Sequence, residues 1–111
     1  MGGTMGKELT IKDRLILLSA LPQENDVTTL KIIRQTQDML GINEEEHKEV
    51  ELKVEGSNYT FNQEKDIPKN FDIGEKATDI IIEALKSLNK KKKIRMEMLE
   101  TYDKFIETNK Q

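Results

Sequence analysis

The stretch VELKVEGSNYTFN, residues 50–62, is where the chain changes period, and its reading decides the fold. Val50, Leu52 and Val54 alternate with Glu51, Lys53 and Glu55; after Gly56, Ser57 and Asn58, the residues Tyr59 and Phe61 alternate with Thr60 and Asn62. A period of two puts the apolar side chains on one face of a strand, and the central turn residues join the two runs as a β-hairpin. A lone hairpin is marginal in water, so its apolar face is expected to lie on the flanking helices. Tyr59 and Phe61, with Phe71, Tyr102 and Phe105, are too few to supply both a core and a base-stacking platform, and are expected to be mostly core.

On both sides of the hairpin the period is helical. Thr10 and Asp13 stand three apart in front of Ile11, Leu15, Leu18 and Leu21, which predicts a capped first helix ended by Pro22. Asn25 or Asp26 caps a second helix carrying Val27, Leu30, Ile33 and Leu40, and Gly41 is expected to close it in the left-handed conformation. Asn43 and Glu46 make a second capping pair at a short acidic helix. Beyond the hairpin, NFDIG (70–74) reads as a brief third strand, with Phe71 and Ile73 on one side. Ala77, Ile80, Ile81, Ala84, Leu85 and Leu88 then form the stripe of a long helix, and Met98, Leu99, Tyr102, Phe105 and Ile106 that of a last one.

The expected architecture is α+β: four or five helices packed on a small antiparallel sheet made of the hairpin and a short third strand. Residues 9–107 form the single domain, residues 1–8 read as a flexible leader or tag, and residues 108–111 as a frayed C-terminus. At 111 residues one core is expected, under a surface set by 35% charged residues. The longest strongly apolar run, LILLSAL (15–21), is far short of the ~20 residues that cross a bilayer, so no membrane association is expected. The absence of cysteine excludes disulfides, thiolate metal sites and a cysteine nucleophile, and is compatible with a reducing, cytoplasmic location.

The segments LTIKDRLILLSALP, TTLKIIRQ, EEEHKEVELKVEG and IGEKATDIIIEALKSL, in this order from Leu9 to Phe105, resemble small proteins encoded by tailed phages and prophages of Gram-positive bacteria. The resemblance implies a genomic setting, with the host cytoplasm or the virion as location. It carries no assigned activity, and so no functional residue.

The residues offer little for catalysis. His47 is the single histidine, and Glu44 with His47 has the E-x-x-H spacing of di-iron bundles, but those sites need two copies and further glutamates. Ser19, Ser57 and Ser87 lie in no nucleophile elbow, and the glycines form no phosphate loop. The protein is therefore expected to be no enzyme, with no cofactor, no metal and no catalytic residue.

Two binding readings remain. In SLNKKKKIRMEM (87–98) the residues Lys90, Lys91, Lys92, Lys93 and Arg95 make a basic run that suits nucleic acid or an acidic partner; as the end of a helix it also suits the negative pole of the dipole. Lys31 and Arg34 lie on TTLKIIRQTQDML, the helix most like a recognition helix, and the hairpin then takes the place of a wing. The net charge of −3 and the acidic approach NEEEHKEVE oppose that reading. Met98, Tyr102, Phe105 and Ile106 make a broad apolar stripe for so small a core, and are expected to meet a protein partner or a second copy. A non-enzymatic protein-interaction module is thus the leading expectation, and a winged-helix-like nucleic-acid-binding protein the alternative.

Overall fold

The computed structural model describes residues 6–56 and 58–106. Among them the chain forms five α-helices, α1 (Ile11–Ala20), α2 (Val27–Leu40), α3 (Glu44–Glu49), α4 (Glu75–Lys90) and α5 (Leu99–Phe105). Four short strands, β1 (Gly6–Leu9), β2 (Lys53–Glu55), β3 (Asn58–Thr60) and β4 (Lys69–Asp72), and 3₁₀ turns at Gln63–Lys65 and Met96–Met98 complete the order. The fold is α+β, but its strands make two separate antiparallel pairs, β1 with β4 and β2 with β3.

The third strand therefore pairs with the N-terminus and not with the hairpin. Gly6 lies opposite Asp72 and Leu9 opposite Lys69, so the stretch read as a leader contains a strand from residue 6 onward. With one apolar residue in GKEL, no alternation was there to read. Pairing nevertheless lets Leu9 enter the core beside Ile73, with Phe71 packed on it. Residues 1–5 and 107–111, which hold the rest of the expected leader and frayed end, lie outside the described residues.

Both predicted capping boxes form. Thr10 and Asp13 exchange side-chain and backbone bonds at the start of α1, Asn43 and Glu46 do so at α3, and Asp26 caps α2 through the Thr29 N–H. Asp66, far along the chain, adds a further cap to α1: its carboxylate accepts from the Ile11 N–H at 2.6 Å and the Lys12 N–H at 3.3 Å. Gly41 does not take the left-handed conformation. It has φ −58° and ψ 151°, and the last α2 carbonyls, Leu40 and Gly41, accept from the Arg14 guanidinium at 3.0 and 2.5 Å. A Cβ at position 41 would sit 3.3 Å from the Gln37 carbonyl oxygen, a tight contact that the backbone would have to shift slightly to admit.

The left-handed caps occur elsewhere, on charged residues. After α3, Glu51 has φ 55°, the Leu52 N–H donates to the His47 carbonyl and the Glu51 N–H to that of Lys48. After α4, Lys92 has φ 60°, the Lys93 N–H donates to Leu88 and the Lys92 N–H to Asn89. Each is a complete Schellman motif. The first turns the chain so that strand β2 begins only at Lys53, with Val50 buried and Leu52 half-buried before it.

Leu9, Leu17, Leu21, Ile33, Leu40, Ile73, Ile81, Leu85 and Phe105 form the main core, drawn from both chain ends and from α1, α2 and α4. Neither β2 nor β3 contributes to it. The hairpin's apolar face, expected on the helices, instead shows Val54 55% and Tyr59 44% exposed, as a directly opposed cross-strand pair.

Candidate functional site

Over Leu15–Leu18 the first helix is apolar on every side, and the structure shows why. Leu17 and Leu21 enter the main core, while Lys12, Leu15, Ile16 and Ser19, spaced at i, i+3, i+4 and i+7, form a second face. That face is one wall of a groove of about 460 Å³. The opposite walls come from the outgoing arm of the hairpin (Tyr59, Phe61, Gln63) and from the segment Arg95, Glu97 and Met98. Ile16 and Met98 are buried at its base, Leu15 and Phe61 half-buried, and Tyr59, Gln63 and Arg95 stand exposed at its rim. Arg95 faces Glu97 at 3.6 Å, a solvent-exposed pair, and the Ser19 hydroxyl donates to the Ile16 carbonyl at 2.8 Å.

Two buried ionic clusters fix α1, and with it the groove. Arg14, 3% exposed, holds Glu46 in a two-pronged pair at 2.7 and 3.0 Å, spans to the α2 carbonyls and lies 5.0 Å from the centre of the Phe71 ring. Lys69 of β4 and the Asn43 N–H complete the Glu46 carboxylate. The Arg14 guanidinium, with Lys69 and the Asn43 N–H assisting against burial, draws the Glu46 pKa down to about 2. Asp13 is the centre of the second cluster, accepting from the Thr101 hydroxyl at 2.5 Å, the Thr10 N–H at 3.0 Å and the Lys104 ammonium. Burial pushes its carboxyl up, but these donors together outweigh burial and hold it below the usual carboxylate range. Lys104 also donates to the Glu8 carbonyl, and Lys7 to the Lys104 carbonyl, tying β1 to α5. Burial lowers the Lys7 pKa.

The predicted contact residues divide. Phe105, 0% exposed, lies in the main core with Tyr102 and Ile106 packed on it, so this part of the stripe covers the protein's own interior, whereas Met98, 6% exposed, floors the groove. With only seven residues in α5, one apolar face is all it has, and the core takes it. The apolar side chains this segment does show are Met96 and Leu99, 85% and 48% exposed. Lys31, Arg34, Lys90, Lys91, Lys92, Lys93 and Arg95 are all exposed. Of these, Arg95 alone lines the groove.

His47 is half-buried, and among the described residues no three His, Asp or Glu side chains gather as metal ligands would. Sequence reasoning missed Lys12, Leu15, Ser19 and Gln63 as groove residues. The one signal present was the excess of apolar positions on α1, Leu15 to Leu18 in unbroken succession, more than a single core face needs. Set against protein-family models, curated proteins and solved structures, the chain matches none of them.

Proposed function

We propose that the protein is a non-enzymatic module that works by binding another protein, in the phage or prophage setting that its sequence resemblance implies. The observation that carries this reading is the opposed pair Val54 and Tyr59, exposed on a hairpin that gives nothing to the main core, with Tyr59 also lining a groove of mixed apolar and charged surface. A short hairpin that leaves its apolar pair in water gains little from its own packing, and contiguous exposed apolar surface of this kind marks contact sites.

The nucleic-acid reading is weakened by the order of elements. The helix that immediately precedes the hairpin is α3, six residues that begin with three glutamates, whereas Lys31 and Arg34 stand on the helix before it. Phosphate would meet carboxylates where a wing and its recognition helix should cooperate.

The test is capture from a lysate of the bacterium whose genome carries the gene, comparing the natural chain with Val54→Ser and with Tyr59→Ser. A protein retained by the natural chain and lost with both variants is the expected result. Capture that disappears on nuclease treatment, or that neither variant affects, overturns the reading.

A further inference from the structure

We infer that the groove between α1, the hairpin's outgoing arm and the Arg95–Met98 segment receives an extended acidic segment of the partner protein, an apolar side chain resting on Leu15, Ile16 and Phe61 and a carboxylate meeting Lys12 and Arg95. This rests on the module reading above and names the chemistry of the partner. The cavity, about 460 Å³, falls in the range that holds a few side chains, and its lining is mixed: Leu15, Ile16, Tyr59, Phe61 and Met98 offer apolar surface, and the polar side chains beside them include the charged Lys12, Arg95 and Glu97.

The charge at the groove selects the partner. Among the lining residues Lys12 and Arg95 face a single acid, Glu97, in a chain whose net charge is −3; Asp66 stands beside Lys12, but its carboxylate is occupied by the Ile11 and Lys12 N–H groups. Among the described residues Lys12 has no carboxylate within ion-pair distance of its ammonium, and the Arg95–Glu97 pair, 72% and 53% exposed, is of the kind that contributes little and is readily exchanged. The exposed turn Lys91–Lys93 lies just upstream of Arg95 and extends the positive potential beyond the groove's end. Strand β3 carries Tyr59 into the groove wall, and among the described residues its outer edge has no strand partner. An extended segment can add there through backbone hydrogen bonds while its alternate side chains reach the floor.

Two other occupants fit less well. Apart from Tyr59 and Phe61 the apolar lining is aliphatic and thioether surface, and two rings on one strand make too short a platform to follow a single-stranded nucleic acid. The acidic α3 of a second copy would make a head-to-tail contact between unlike surfaces, which propagates into open chains unless the geometry closes a ring.

The inference is tested by titrating the ¹⁵N-labelled full chain with four probes: short synthetic peptides alternating Asp or Glu with Leu or Phe; the same peptides with Lys or Arg in place of the acids; acidic peptides with Gly and Ser in place of the apolar residues; and oligothymidylate. The first set is expected to move the amide signals of Leu15, Ser19, Phe61 and Gln63, weakening with salt, and the others to leave them in place. In the variant combining Lys12→Gln and Arg95→Gln, affinity should fall about tenfold, as for the loss of charge-assisted contacts, with the dispersed amide spectrum unchanged. No movement of these signals, while Val54-dependent capture persists, overturns the groove assignment and leaves the module reading standing; failure of both overturns both. Equal movement with the basic peptides or with oligothymidylate overturns the acidic-segment assignment.

Discussion

A guanidinium placed where four backbone and side-chain acceptors converge cannot be removed without leaving several of them unmet. Arg14→Ala strips Glu46 of its two-pronged partner and the Leu40 and Gly41 carbonyls of their donor. Breaking a buried pair on one side costs about 3–5 kcal/mol, and urea denaturation should show it as a large fall in midpoint. Replacing both partners by apolar residues, Arg14→Met with Glu46→Leu, should recover part of that loss, because neither position then holds a buried unpaired charge. Acid provides an independent measurement. Glu46 is displaced downward, from 4.5 to about 2, so its pairing stabilises the fold fully above about pH 4.5 and loses that contribution as the pH falls toward 2. The displacement corresponds to a stabilisation on the order of 3 kcal/mol. Asp13, displaced in the same direction, acts with the same sign. Urea midpoints measured down this range should fall steeply for the natural chain and less so for Glu46→Gln, which starts lower and lacks the group that titrates.

Among the elements, the N-terminal caps, the hairpin and the strand after it were legible, and the first strand with its pairing was not. Thr10 with Asp13 and Asn43 with Glu46 could be read from spacing alone because a cap is a local bond, complete within four residues. The second role of the same acids was invisible: Glu46 meets Arg14 across 32 positions and Asp13 meets Thr101 across 88, and a charged residue in a polar sequence looks like surface wherever it goes. The pairing of β1 with β4 was hidden for a related reason, since four residues with one leucine carry no period. The basic run, by contrast, resolves at this scale. Lys90 ends α4, and Lys91 to Lys93 form its Schellman turn with Lys92 left-handed. A side chain in that conformation costs roughly 1 kcal/mol relative to glycine, so Lys92→Gly should raise the thermal midpoint although it removes a helix-end cation. Glu51→Gly at the matching turn after α3 should do the same. A lower midpoint in both variants would show that the charges matter more to the fold than the backbone conformation.

For the whole molecule, the sequence conveyed the class of fold and the positions of the helices but not the location of unpaired apolar surface. Periodicity counts apolar residues without saying which neighbour receives them: the α5 stripe went to the core, while Val54, Tyr59 and the Leu15 face of α1 stayed accessible. The core itself draws on both ends of the chain, Leu9 at one and Phe105 at the other. A chain cut after Lys93 should therefore lose cooperative unfolding, with helical circular dichroism fading over a broad temperature range in place of a single transition. A sharp melt would show that α5 is an accessory. The bond from Thr101 to Asp13 has a meaning for biosynthesis as well. A ribosome delivers α1 before α5, so the Asp13 carboxylate waits through the 88 positions to Thr101 and the 91 to Lys104 before the hydroxyl and ammonium that neutralise its burial have been made. Until then α1 has reason to stay in water, and the fold is committed only when the message has been read almost to the end of α5.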